Sequence, residues 1–119
     1  MMLDWNDYRQ QVLARVAEIG RSSPGTVRGY RELGSAGAAK DLLGAKTREL
    51  IALAVAVTRQ CDGCIVIHTD AALKQGATHE EIAEALGVAI AVNAGATLVY
   101  STRVLDAYAA LAGPAEAAP

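Results

Sequence analysis

Two cysteines and a histidine fall within ten residues of this 119-residue chain, in the run Arg59-Gln-Cys-Asp-Gly-Cys-Ile-Val-Ile-His68. They are its only cysteines and one of its two histidines. An α-helix turns once every 3.6 residues, so Cys61, Cys64 and His68 share one face if the run is helical. Two thiols and an imidazole on one face suit thiol redox chemistry or metal binding. A thiol reacts as its thiolate, and an ordinary cysteine of pKa about 8.5 is only about 3% ionised at pH 7. Bringing that pKa to about 7 takes about 2 kcal/mol of differential stabilisation. A helix N-terminus contributes part of it, since free N–H groups and the dipole favour an anion. His68, one turn past Cys64, can contribute the rest as a base or as an imidazolium partner. Asp62 works the other way, because a nearby carboxylate raises a thiol pKa. A Cys-x-x-Cys pair can also close on itself, so oxidation at one sulfur is resolved by the other.

The same sulfurs could be half of a structural zinc site. Such a site normally needs four protein ligands, and only His68 is well placed as a third. His79 stands eleven residues further on and reads as a solvated helix-start residue. A three-ligand zinc with one open position stays possible on these residues alone. So does a non-catalytic helical assembly, supported by the apolar composition. Glu49 alone reads as a helix-start charge that faces the core on some rotations. Tyr30, Tyr100 and Tyr108 read as packing residues with hydroxyls at a wet edge, and Arg48 and Arg59 as solvated.

The elements that must position these groups read as helices. Asp4 caps a first helix with Trp5, Tyr8, Val12, Val16 and Ile19 at helical spacing and Gly20 ending it. Ser23-Pro24 opens a second helix, weakened by Gly25, Gly29 and Gly34. Gly34–Gly44 is a connection. Ala45–Gln60, apolar through Leu50-Ile-Ala-Leu-Ala-Val-Ala-Val57, is expected to be the central buried helix. A fourth helix runs from about Cys61 to Gln75 and stops at Gly76. Thr78-His-Glu-Glu81 is a capping box for a fifth helix carrying Ile82, Leu86, Ala89 and Ile90. Asn93-Ala-Gly95 kinks or divides it, and a sixth segment carries Leu98, Thr102, Leu105, Tyr108 and Leu111. Residues 1–112 form one all-α domain of about six helices, and 113–119 a disordered tail.

The totals narrow the class. The chain is 52% hydrophobic but only 4% aromatic, with no Phe, so its core is Ala, Val, Leu and Ile. A monomer this apolar would expose large patches, which predicts a homo-oligomer. A net charge of −2 without a basic cluster gives no footprint for nucleic acid. The acidic start is wrong for a secretory signal, and the eight apolar residues Leu50–Val57 fall far short of the ~20 that span a bilayer. The expected location is cytoplasmic, with no membrane partner. In that reducing setting a close cysteine pair is more often catalytic or metal-binding than a structural staple.

The stretch from Lys46 to Gly76 resembles the core of the alkylhydroperoxidase AhpD-like proteins of the carboxymuconolactone decarboxylase superfamily. The shared pattern is a Glu, eleven residues, then Cys-x-x-Cys-x-x-x-His, and it falls on Glu49, Cys61, Cys64 and His68. The following Gly-Ala-Thr-x-Glu-Glu-Ile-Ala-Glu-Ala run and the Leu-Val-Tyr100 segment extend the likeness over roughly residues 40–110. The resemblance implies an AhpD-like helical bundle assembling as trimers or hexamers, with the cysteine site near subunit contacts. It implies a thiol-dependent peroxidase or disulfide reductase in antioxidant defence, with no bound cofactor or metal. Its substrate would be a peroxide, and its electron donor an external dithiol, lipoyl or thioredoxin-like. By the carry-over, Glu49 and His68 are a proton relay, Cys64 attacks the peroxide and Cys61 resolves the sulfenic acid. Decarboxylase members of the superfamily lack the cysteine pair, which argues against lactone decarboxylation. The chain is shorter than AhpD itself and keeps little beyond the core.

Overall fold

A computed structural model describes residues 1–113. Five α-helices follow one another: α1 (Trp5–Ser22), α2 (Pro24–Ala36), α3 (Ala45–Thr58), α4 (Asp62–Lys74) and α5 (His79–Ala112). A single 3₁₀ turn, Gly37–Ala39, follows α2, and no strand occurs among the described residues. The fold is all-α, as the periodicity indicated. The expected tail lies, beyond Gly113, outside the described residues.

Local chemistry sets most of the helix ends. Asp4 caps α1, its carboxylate accepting the Asp7 N–H at 3.1 Å, and α1 runs through Gly20 to Ser22. The capping box of α5 is complete: Thr78 Oγ1 accepts the Glu81 N–H at 3.1 Å, and Glu81 Oε1 accepts the Thr78 N–H at 2.9 Å. Ser23 departs from expectation. Its hydroxyl pairs with Thr26 Oγ1 at 2.7 Å and leaves the first N–H groups of α2 without a side-chain cap.

The largest departure is α5. Instead of two helices divided at Asn93-Ala-Gly95, it is one helix of 34 residues, which reduces the expected six helices to five. Asn and Gly each cost a helix about 1 kcal/mol or less relative to Ala. Flanking Ala and Leu absorb that without a break. Counted as one, α5 is long and apolar enough to cross a bilayer by length and composition, a property hidden when it is read as two pieces.

α3 and α5 run side by side in the same direction. Lys46 Nζ lies 2.7 Å from Glu81 Oε2 at their starts, and Asn93 Nδ2 donates to Thr58 Oγ1 at 2.8 Å where α3 ends. Both pairs are 35 residues apart in sequence, so the register is constant along the contact. α4 folds back on α3, and Leu53, Ala72 and Ala77 form the core with Leu50 and Ile82 against it. α1 lies across α4: Arg9 pairs with Asp70 at 3.3 Å, and a Cβ at Gly63 would stand 3.6 Å from Val12. α2 reaches the body through α1, with Val27 packed over Gly20.

This packing leaves much uncovered. α3 buries Leu53 and Ala56, while Ile51 and Val55 stay about half exposed, so within one protomer it is not a helix buried all round. Beyond Asn93, α5 has no α3 beside it, and Leu98, Tyr100, Val104, Leu105 and Leu111 are exposed. Tyr30 and Tyr108 are exposed too, rather than packed. The radius of gyration is 20.3 Å, against about 13–14 Å for a compact domain of this length.

Candidate active site

α3 ends in a Schellman motif. The N–H of Gln60 bonds the carbonyl of Val57 at 3.2 Å, and the N–H of Cys61 bonds that of Ala56 at 3.1 Å. The motif needs a left-handed residue after the cap, and Gln60 takes that place at φ 52°. Cys61 then serves two helices at once. Its N–H closes the end of α3, its carbonyl accepts the Ile65 N–H at 2.9 Å, and its sulfur caps α4 by accepting the Cys64 N–H at 3.2 Å. One residue thus closes α3 and caps α4, so the backbone holds Cys61 from both sides.

Cys61 and Cys64 are joined as a disulfide, with Cα atoms 5.2 Å apart. The sulfur of Cys61 therefore sits where the N-terminal N–H groups of α4 favour negative charge. His68 follows one turn after Cys64. Its Nδ1 lies 2.7 Å from Glu49 Oε2, a contact that joins α4 to α3 in a half-buried setting. With Nδ1 engaged, Nε2 is the ring nitrogen left for other partners. The four residues singled out from the sequence thus form two contacts, a sulfur pair and a histidine–carboxylate pair, on adjacent turns of α4 and α3.

Other charged residues take outlying places. Asp62 is the exposed first residue of α4, and His79 the exposed first residue of α5. Arg48 is not free: its guanidinium bonds Asp41 at 2.8 Å across the connection before α3. Lys74 bonds Asp70 and, with Arg9 beside it, holds that carboxyl below its ordinary range. The Lys46 ammonium and the Thr78 N–H do the same for Glu81. Among the described residues no group of three or more His, Cys, Asp or Glu is placed to hold a metal ion. Sequence reasoning missed the Asn93–Thr58 bond. Its one signal is a polar amide in an apolar helical run, and residue type alone points there to a kink or division instead.

Comparison with known proteins bears on all of this. The carboxymuconolactone decarboxylase family pattern matches residues 24–107. An uncharacterized protein of Haemophilus influenzae is 48% identical over 108 residues, covering 91% of this chain and 96% of the relative. An uncharacterized protein of Cupriavidus necator is 30% identical over 111 residues, covering 93% and 98%. The apo crystal structure of a carboxymuconolactone decarboxylase family protein from Legionella pneumophila superposes with a TM-score of 0.70 at 36% identity, over 87% of this chain and 93% of that one. Family pattern and backbone agree: the chain is an AhpD-like member of the carboxymuconolactone decarboxylase family.

Proposed function

We propose that the chain is a thiol-dependent hydroperoxidase or disulfide reductase that cycles Cys61 and Cys64 between dithiol and disulfide. The observation that carries the reading is the 2.7 Å contact of His68 Nδ1 with Glu49, one helical turn from a cysteine pair capping α4. Glu49 fixes the imidazole through Nδ1. Nε2 is then free to take a proton from a thiol and to return it to a leaving oxygen. In the dithiol form the Cys64 thiolate attacks one oxygen of ROOH, an S–O bond forms as O–O breaks, and ROH leaves with the proton. The Cys61 thiolate, favoured by the α4 N-terminus, attacks the sulfur of the Cys64 sulfenic acid. The disulfide forms and water leaves. Two electrons pass to the peroxide, and an external dithiol restores the pair by exchange.

The surface of a single protomer is that of a chain which assembles with copies of itself. The accessible surface is 9238 Å², against about 6100 Å² for a compact monomer of this mass. The excess has the size of an obligate interface, and α5 beyond Asn93 contributes Leu98, Val99, Val104, Leu105 and Leu111 to its exposed apolar surface. We propose a homo-oligomer in which neighbouring copies cover that half of α5, and a cytoplasmic location for it.

Mass spectrometry of the reduced protein before and after a pulse of hydroperoxide tests the chemistry. The expected product is the Cys61–Cys64 disulfide, and in Cys61→Ser a dimedone-trapped sulfenic acid on Cys64. A pair that stays reduced sinks the proposal. One zinc per chain surviving dialysis would replace it by a structural metal site. Cysteine variants with unchanged biological function would replace it by a non-catalytic assembly.

A further inference from the structure

Asn93, itself exposed, lies one turn after the buried Ala89 on the face of α5 that meets the end of α3. Asn is a poor residue for a helix interior. Here both hydrogens of its amide nitrogen are used. Nδ2 donates at 2.8 Å to Thr58 Oγ1 and at 2.8 Å to the carbonyl of Ala89 in its own helix. Thr58 completes the chain, since its hydroxyl donates to the Ala54 carbonyl at 2.9 Å and so has a lone pair to offer Asn93. A continuous run of hydrogen bonds thus links the Ala89 carbonyl of α5 to the Ala54 carbonyl of α3.

The place of this clamp matters more than its strength. Thr58 is the last residue of α3, and the motif that follows at once delivers Cys61 as cap of α4. Gln60 holds that turn in a left-handed conformation that a residue with a Cβ adopts at a cost. A turn under such strain keeps its shape only if its surroundings fix it. On the α5 side, Asn93 holds this end of α3 through its bond to Thr58.

We propose that Asn93 and Thr58 are positioning residues for the redox pair: through the last turn of α3 they set how Cys61 is held at the N-terminus of α4, and hence the balance between dithiol and disulfide. This rests on the thiol redox reading and deepens it. Neither residue touches the sulfurs, and both act through the backbone of residues 58–61.

The test is the thiol–disulfide equilibrium of the full chain against a dithiothreitol redox buffer, read by counting free thiols. Asn93→Ala and the near-isosteric Thr58→Val are expected to shift the equilibrium constant at least threefold in the same direction. The double variant should shift it no further than either single one, because each already breaks the Asn93–Thr58 bond that joins α5 to α3. Thr58→Ser keeps the hydroxyl and should restore the wild-type constant. Thermal melts of the oxidised and reduced forms, run in parallel, separate this from simple destabilisation. A purely structural clamp lowers both melts equally and leaves the constant unchanged. Constants within a factor of two of wild type in both single variants overturn the inference while the redox reading stands. A wild-type pair that does not exchange with the dithiol at all overturns the redox reading, and this inference with it.

Discussion

The chain turns one helix into the next twice with the same motif, and the two joints differ in the residues that carry it. At the end of α4 the N–H of Gly76 bonds the Leu73 carbonyl at 3.0 Å, and that of Ala77 bonds Ala72 at 3.0 Å. At the end of α3 the same pair of bonds is made by Gln60 and Cys61. The second joint uses ordinary parts: glycine at the left-handed position, φ 79°, a small buried alanine after it, then a separate threonine as the next cap. The first puts glutamine where glycine is easiest, and merges the closing residue and the next cap into one cysteine. A helix joint alone does not need either change. The departures coincide with the sulfurs, so the cost of this joint is explained by what it holds rather than by the fold.

The largest expected effect breaks the comparison at its chemical end. Cys64→Ser should lower peroxide turnover by about 100-fold or more, as removal of a covalent nucleophile does. Ala77→Ser, a serine placed at the second joint, should leave the turnover of correctly folded protein near wild type. A coupled peroxide-reduction assay with a dithiol donor measures both, and equal losses would mean that the joints do not differ in function. Next in size is Glu49→Gln. It keeps an acceptor for His68 but removes the charge, and turnover should fall by roughly 10- to 100-fold. Melting temperature should change little, since the pair is half-buried. A rate within twofold of wild type would remove Glu49 from the site.

How much of this could be read from the chain depends on which physical signal each feature leaves. The capping box at Thr78 and Glu81 and the stop at Gly76 are local, and their residue types state their geometry. The histidine, the two cysteines and Glu49 were legible as positions because the pattern and the resemblance both fall on them. Their contacts were less so. That Nδ1 of His68 meets Glu49 depends on α4 folding back along α3, a tertiary fact with no local code. Asn93 shows the opposite failure. Its residue type suggests a break, but a bond to Thr58 across helices 35 residues apart outweighs its propensity. Gln60 left no signal at all, because only the Schellman bonds reveal that it is left-handed.

The backbone effects of the two joints should be of opposite sign. Gly76→Ala meets no neighbour within 4 Å, so it measures the left-handed cost alone, about 1 kcal/mol of lost stability. Gln60→Gly relieves the same strain but frees the unfolded chain, a net gain of roughly 0.5 kcal/mol. Urea unfolding of the oxidised protein measures both. A loss on Gln60→Gly would show that the glutamine side chain supports the joint, and the contrast between the two joints would have to be redrawn.

The smallest effect concerns acid. Glu81 holds the second joint's cap and pairs with Lys46, and both contacts keep its carboxyl below the ordinary value of about 4.3. A carboxyl depressed on folding adds stability that is fully present above that ordinary value and is lost as pH falls through the folded one. In the oxidised protein the first joint's cap is a disulfide sulfur with no proton to gain. Acid should therefore loosen the start of α5 before it loosens the start of α4. Hydrogen exchange at pH 6 and pH 3 tests the order: protection at Glu81 and Ile82 should fall more than at Cys64 and Ile65. Glu81→Gln should show the weaker protection already at pH 6 and lose little more at pH 3. Equal losses at both joints in wild type would mean that the Lys46–Glu81 contact, though short, does not govern how α5 begins.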